Sequence, residues 1–184
     1  MESTAGILLI VGSFVFFLGA GLGVPRIFSE PDRSQRLRML EENLLLWRVA
    51  QPFYVVGPLV TAAGVGVLSW AEGAGFAQVA LGVSALAMLV GGACWGWMVY
   101  LRGRHYREFA LGMLPAWPFT SYVLLTISGL ALLGIGLLSG AAPDWLGWLT
   151  LAADVVFLGA YVRYDDIPPF VFYILLTVVG AVAL

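Results

Sequence analysis

Six apolar runs, each near the length of a membrane-crossing helix, occupy most of this chain and leave room for little else. A helix needs about 20 mostly apolar residues to cross the hydrocarbon core of a bilayer. The runs cover about 5–24, 51–70, 77–101, 118–138, 145–162 and 168–184, and the last is short. Between them stand the turn sequences Glu72-Gly73-Ala74-Gly75, Ser139-Gly140-Ala141-Ala142-Pro143 and Asp165-Asp166-Ile167-Pro168. Composition agrees. The 184 residues are 61% hydrophobic and 11% charged, against about 45–50% and about 25% in a soluble domain. The expected class is an all-α integral membrane protein of six transmembrane helices, one bundle over residues 1–184. The leader Met1-Glu2-Ser3-Thr4 is acidic and no A-x-A site follows the first run, so that run is read as a permanent helix rather than a signal peptide.

The charges set an orientation. All nine basic residues are arginines. Arg26, Arg33, Arg36, Arg38 and Arg48 lie between runs one and two, Arg102, Arg104 and Arg107 between three and four, and Arg163 ends run five. They fall on one side, which the positive-inside rule makes cytoplasmic. Both termini are then outside, with Glu2, Glu72 and Asp144 on the outer surface. The expected location is the cell (cytoplasmic) membrane, multi-pass.

Single-residue counts exclude several chemistries. Without lysine there is no retinal Schiff base, PLP lysine or P-loop lysine. The lone Cys94 excludes a dithiol exchange site. The lone His105 excludes haem held between two histidines of this chain. No catalytic or nucleotide-binding fingerprint is present. No cofactor, metal or nucleic-acid partner is expected.

The first arginine-rich loop holds its own helix, over about 33–48. Asp32 is placed to cap it, and Leu37, Leu40, Leu44 and Trp47 form one stripe. Glu41 is placed to pair with Arg38. The expectation is an amphipathic helix on the cytoplasmic membrane surface, against the plainer reading of a solvated helical linker.

The chain also repeats itself. Pro118-Phe119-Thr120-Ser121-Tyr122-Val123-Leu124-Leu125-Thr126 and Pro169-Phe170-Val171-Phe172-Tyr173-Ile174-Leu175-Leu176-Thr177 share P-F-x-x-Y-x-L-L-T, and each has Gly three residues on. Pro52-Phe53 and Thr61 give a looser third copy. This predicts three tandem helical hairpins of parallel orientation. Proline would open each first helical turn, and Phe and Tyr would sit in an aromatic belt. The belt is also the default for Trp95, Trp97, Trp117, Trp145 and Trp148. Gly19/Gly23, Gly92/Gly96 and Gly136/Gly140 supply small-residue spacings for close packing.

Two sets of residues carry possible chemistry. Asp154 is the one ionisable residue near the middle of a run. At such a depth an aspartate costs about 2.5–3.5 kcal/mol to insert, so it should face the bundle interior. Ser13, Thr61, Ser128 and Thr177 reach similar depth and are its expected hydroxyl partners. The plain alternative is a structural, protonated carboxyl. The second set, Arg102, Arg104, His105 and Arg107, is placed to contact anionic lipid or an anionic ligand. Its plain alternative is charge that only orients the chain. A metal held by Asp165, Asp166, His105 and Glu108 matches no ligand spacing.

Three functions fit these features. The first is a small transporter or channel-like protein for a small solute or ion, using the midplane Asp154. The second is a non-catalytic accessory or scaffold subunit of a larger membrane complex. The third is a lipid-modifying enzyme at the cytoplasmic face. Membrane lipids, anionic ones included, are the expected partners, with a homo-oligomer or a larger complex as the possible assembly.

Overall fold

Each apolar run winds into a helix, because inside a bilayer only a helix satisfies every backbone donor and acceptor within the segment. The computed structural model describes residues 2–140 and 142–184. Met1, the Glu2 side chain and Ala141, which belong to the leader and to one of the turns read above, lie outside them. The described residues form eight α-helices: α1 (Glu2–Leu22), α2 (Arg33–Glu42), α3 (Leu44–Ala71), α4 (Phe76–Arg104), α5 (Tyr106–Ala110), α6 (Trp117–Ser139), α7 (Asp144–Tyr164) and α8 (Phe170–Val182). Five of them, α1, α3, α4, α6 and α7, are long and apolar enough to cross a membrane. The sixth run yields a helix of only 13 residues, about 20 Å at 1.5 Å per residue, against a hydrocarbon core of about 30 Å.

The long helices and α8 pack in the order α8–α1–α3–α4–α6–α7, each antiparallel to its neighbour. A ring contact between Phe157 and Phe172, with centroids 5.3 Å apart, joins α7 to α8 across the remaining side. Helix α1 is held on two sides by glycines. A Cβ on Gly57 would lie 2.8 Å from Gly12 O and from Phe16 Cβ, and one on Gly180 would lie 2.9 Å from Gly6 O. Only glycine allows backbones this close. Ser3 Oγ donates to Leu184 O at 3.1 Å, so both chain ends lie at one end of the bundle. The pairs α1/α3 and α4/α6 are closely packed hairpins, but α7 and α8 hardly touch. Helix α7 rests instead on α6, and α8 on α1.

Pro52 does not open a helix as the repeat had implied. Helix α3 starts eight residues earlier, at Leu44, and carries both Pro52 and Pro58 in its interior. A proline there removes one backbone hydrogen bond and costs about 3 kcal/mol. The Tyr54 carbonyl, which Pro58 leaves without its helical donor, accepts the Trp95 indole N–H at 2.9 Å. A side chain from α4 thus repairs the interruption in α3.

The helix expected on the membrane surface is also rearranged. Asn43 breaks it, with φ −121° and its side-chain amide donating to Met39 O at 2.9 Å. Leu44 and Trp47 therefore belong to α3. The apolar stripe faces protein rather than lipid: Leu40 and Trp47 are buried with Ile27 and Ala110, and Leu37, Leu44 and Phe109 pack around them. Helices α2 and α5 with the 3₁₀ turn Pro25–Phe28 form a small apolar cap over the arginine-bearing end of the bundle. Asp32 caps α2 as expected, accepting from Ser34 N at 2.8 Å. The Ser34 hydroxyl, which donates to the same oxygen at 2.8 Å, and then this backbone bond hold the Asp32 carboxyl below the usual carboxylate range. Glu41 pairs with Arg107 of α5, at 3.2 Å, instead of Arg38.

Candidate functional site

Between the cap and the bundle interior lies a cavity of about 500 Å³, within the range of small-molecule sites. Phe16 of α1, Tyr54 of α3, Trp95 of α4 and Phe119 of α6 line it from the bundle, and Phe28 and Phe109 from the cap. One buried charge reaches it, the guanidinium of Arg102 in the last turn of α4.

Arg102 is 2% exposed. Its Nε donates to Gln51 Oε1 at 2.8 Å. Its Cζ lies 4.3 Å from the Tyr54 ring centroid, 4.8 Å from Trp95, 5.3 Å from Trp47 and 5.9 Å from Phe28. Four ring faces thus surround the cation, an arrangement that stabilises it electrostatically. Helical spacing builds this cage. Trp47, Gln51 and Tyr54 are four and three residues apart on one face of α3, and Trp95 and Arg102 are seven apart on one face of α4. The Trp47 indole donates to Arg102 O at 3.2 Å, filling a carbonyl at the end of α4 that has no helical partner. One feature of the cage is incomplete: Arg102 Nη2 is buried and has no hydrogen-bond partner among the described residues.

Below the cavity the bundle is closed. Tyr122 of α6 and Tyr173 of α8, the matching tyrosines of the repeat, meet hydroxyl to hydroxyl at 3.1 Å. They are buried in the interior, not in a boundary belt, because α6 and α8 both turn this face inward. Tyr173 stacks on Phe16, with centroids 4.0 Å apart, and Tyr122 lies 4.9 Å from Trp95, so the pair adjoins the cavity walls. Beyond it, Ile127, Leu130, Leu133 and Leu176 fill the core. A second, smaller cavity of about 110 Å³ opens at the opposite end, where Glu72, Leu137 and Val179 contribute to its wall.

The remaining arginine-cluster residues do not join Arg102. Arg107 is in its ion pair with Glu41. Arg104 Nη1 donates to Tyr100 OH at 3.4 Å, and His105 lies against Glu108 at 3.2 Å. None of the three lines the large cavity. Asp166 does, but His105, Asp165 and Glu108 do not, so the residues considered for a metal or for catalysis do not converge there. Among the described residues no group of acidic, His and Cys side chains is placed to hold a metal.

Asp154 faces inward, 7% exposed, on the α7 stripe of Leu146, Thr150 and Tyr161. Its expected partners are elsewhere. Thr61 Oγ1 donates to Pro58 O at 2.9 Å and Thr177 Oγ1 to Tyr173 O at 2.7 Å, since a helical hydroxyl readily bonds the preceding turn. Ser128 is exposed on the outer face of α6. Ser13 is buried on α1, which packs against α3 and α8, and its Oγ has no partner among the described residues. Asp154 Oδ1 likewise has none among the described residues.

Of the tryptophans assigned to a belt, Trp97, Trp117, Trp145 and Trp148 are exposed, whereas Trp95 is buried in the cage. Sequence reasoning passed over Tyr54 and Gln51, and it gave Trp47 to the surface helix and Trp95 to the belt. Their spacing was the available signal, but it marks a helix face without saying what that face meets. The chain matches no known family model, no curated protein and no solved structure.

Proposed function

We propose that the protein is a small membrane carrier that binds a solute in the cavity beneath Arg102 and releases it on the other side of the bilayer. The observation that carries this reading is the pair of unequal cavities at opposite ends of one bundle, separated by a packed core. A carrier in its inward-open state has this form, with the larger opening on the side where solute is exchanged. The arginine-bearing end is cytoplasmic by the positive-inside rule, so the large cavity opens inward. The chain crosses six times in this reading, with both termini outside. Support for an even number of crossings comes from the Ser3–Leu184 hydrogen bond, which joins the two ends. Helix α8 is short, and a bilayer accommodates such a helix by thinning around it.

Asp154 supplies the coupling group. It faces the interior, its Oδ1 lacks a partner among the described residues, and α7 is the long helix least covered by the rest of the bundle. Because α7 and α8 hardly touch, α7 is held chiefly by its contact with α6. A carboxyl there can carry a proton or a small cation between the two sides. The scaffold-subunit reading lacks an equivalent observation, since it leaves the cavity and its buried charge without a role.

The test is solute exchange in vesicles that contain the purified protein. Wild type should exchange a bound solute and respond to an imposed pH or ion gradient. Asp154→Asn keeps the shape and should fold, yet lose the response to the gradient. Full gradient-driven activity in Asp154→Asn would remove the coupling role.

A further inference from the structure

We infer that the cavity takes an amphipathic organic anion, one carboxylate or phosphate on an apolar body, with Arg102 as its anchor. This rests on the cavity being a ligand site, as proposed above, though not on transport itself.

A buried guanidinium needs either a counter-charge or acceptors for its N–H groups. The protein supplies two neutral oxygens, Gln51 Oε1 and the Tyr54 hydroxyl, and four aromatic faces. Ring faces attract a cation but do not replace a carboxylate, and Nη2 still has no acceptor among the described residues. No acidic side chain forms an ion pair with Arg102 among the described residues. Asp166 lines the same cavity but is itself exposed, where water solvates it. What is missing at Nη2 is therefore an anionic oxygen from outside the chain. A cation would be repelled, and a neutral acceptor would leave the buried charge uncompensated.

The rest of the cavity sets the body of the ligand. Phe16, Phe119, Trp95 and Phe170 offer ring surfaces and few polar groups. A small hydrophilic anion would lose its hydration there with nothing to replace it. An anion with an apolar ring or chain buries that part against the aromatic walls while its head reaches the guanidinium. Both a free organic acid and an anionic phospholipid with its phosphate at Arg102 have this chemistry.

The experiment is calorimetric titration of the protein in phosphatidylcholine nanodiscs with three probes of one shape: naphthoate, naphthamide and naphthylmethylammonium. Naphthoate should bind about 10- to 100-fold more tightly than naphthamide, and the ammonium should not bind. Arg102→Gln should remove that preference, Arg102→Lys should keep part of it, and Arg163→Gln, on the exposed end of α7, should match wild type. Equal binding of naphthoate and naphthamide to wild type would overturn the inference, and so would unchanged naphthoate affinity in Arg102→Gln. The wild-type comparison decides the matter even if the variant does not fold. Lipid extraction then separates the two sources. Anionic phospholipid enriched on wild type but not on Arg102→Gln identifies a lipid headgroup, and no enrichment identifies a free acid. Naphthoate binding without exchange in vesicles would remove the carrier reading alone. Exchange that ignores Arg102→Gln would remove this inference alone.

Discussion

Pro58 deletes a backbone donor in the middle of a buried helix, and the indole of Trp95 supplies another. A buried carbonyl without a partner costs about 1–3 kcal/mol, so Trp95→Phe should lower stability by about that amount. The loss should depend on Pro58. In Pro58→Ala the new backbone N–H can bond Tyr54 O, and Trp95→Phe should then cost less than about 1 kcal/mol. Reversible unfolding of the four proteins in mixed detergent measures the coupling. Additive losses would show that the indole acts through packing alone. The same residues show how much of the site was legible. Arg102 stood in the arginine cluster as an anion-contact residue, and it is the member that lines the cavity. The cage around it was not legible, because Tyr54, Gln51 and Trp95 look like ordinary members of apolar runs. Their meaning comes from α3 and α4 lying side by side, which spacing within either helix does not record. Asp154 was read correctly as inward-facing, but its hydroxyl partners were not. Depth counted along a helix says nothing about azimuth, and Ser128 and Asp154 point different ways at similar depth.

Among the elements, α1 packs on both sides through positions that have no side chain. It lies between α3 and α8, touching both through glycine. Gly57→Ala would set a Cβ 2.9 Å from Phe16 N as well as 2.8 Å from Gly12 O. Both are backbone atoms, so the helices must separate, and overpacking of this kind costs about 1–3 kcal/mol. Gly21, also in α1, meets nothing within 4 Å. Gly21→Ala should therefore be neutral or stabilising by up to about 1 kcal/mol, from helix propensity alone. Thermal unfolding of the two variants in one detergent separates close approach from propensity, and equal effects would contradict the packing described. The existence of the helices was legible, since apolar runs of this length leave no alternative. Which glycines matter was only partly so. Gly19 and Gly136 do lie against neighbouring helices, but Gly12 and Gly57 meet across two helices, and a spacing rule along one helix has no access to such a pair. The break at Asn43 was missed because the apolar stripe continues through it, and the stripe serves the cap on one side and α3 on the other.

At the scale of the whole molecule, charge and shape are polarised in the same sense. The arginine-bearing loops, the cap and the large cavity share one end. The chain termini, Glu72 and the small cavity share the other. An inward-open carrier requires this coincidence, because the mouth that receives cytoplasmic solute must be the mouth on the positive side. The orientation can be tested without any ligand. Cys94 is the single cysteine, so Cys94→Ala gives a background in which one new cysteine reports one position. His105→Cys lies at the arginine-bearing end and Ser3→Cys at the other. In intact cells a membrane-impermeant maleimide should label Ser3→Cys, and it should reach His105→Cys only after the cells are opened. Labelling of His105→Cys alone in intact cells would invert the topology and turn the Arg102 cavity toward the outside. Labelling of both would mean that the ends of the bundle are not on opposite sides of the bilayer. The carrier reading survives inversion with its direction reversed, because it needs two cavities on two sides. It does not survive the second result.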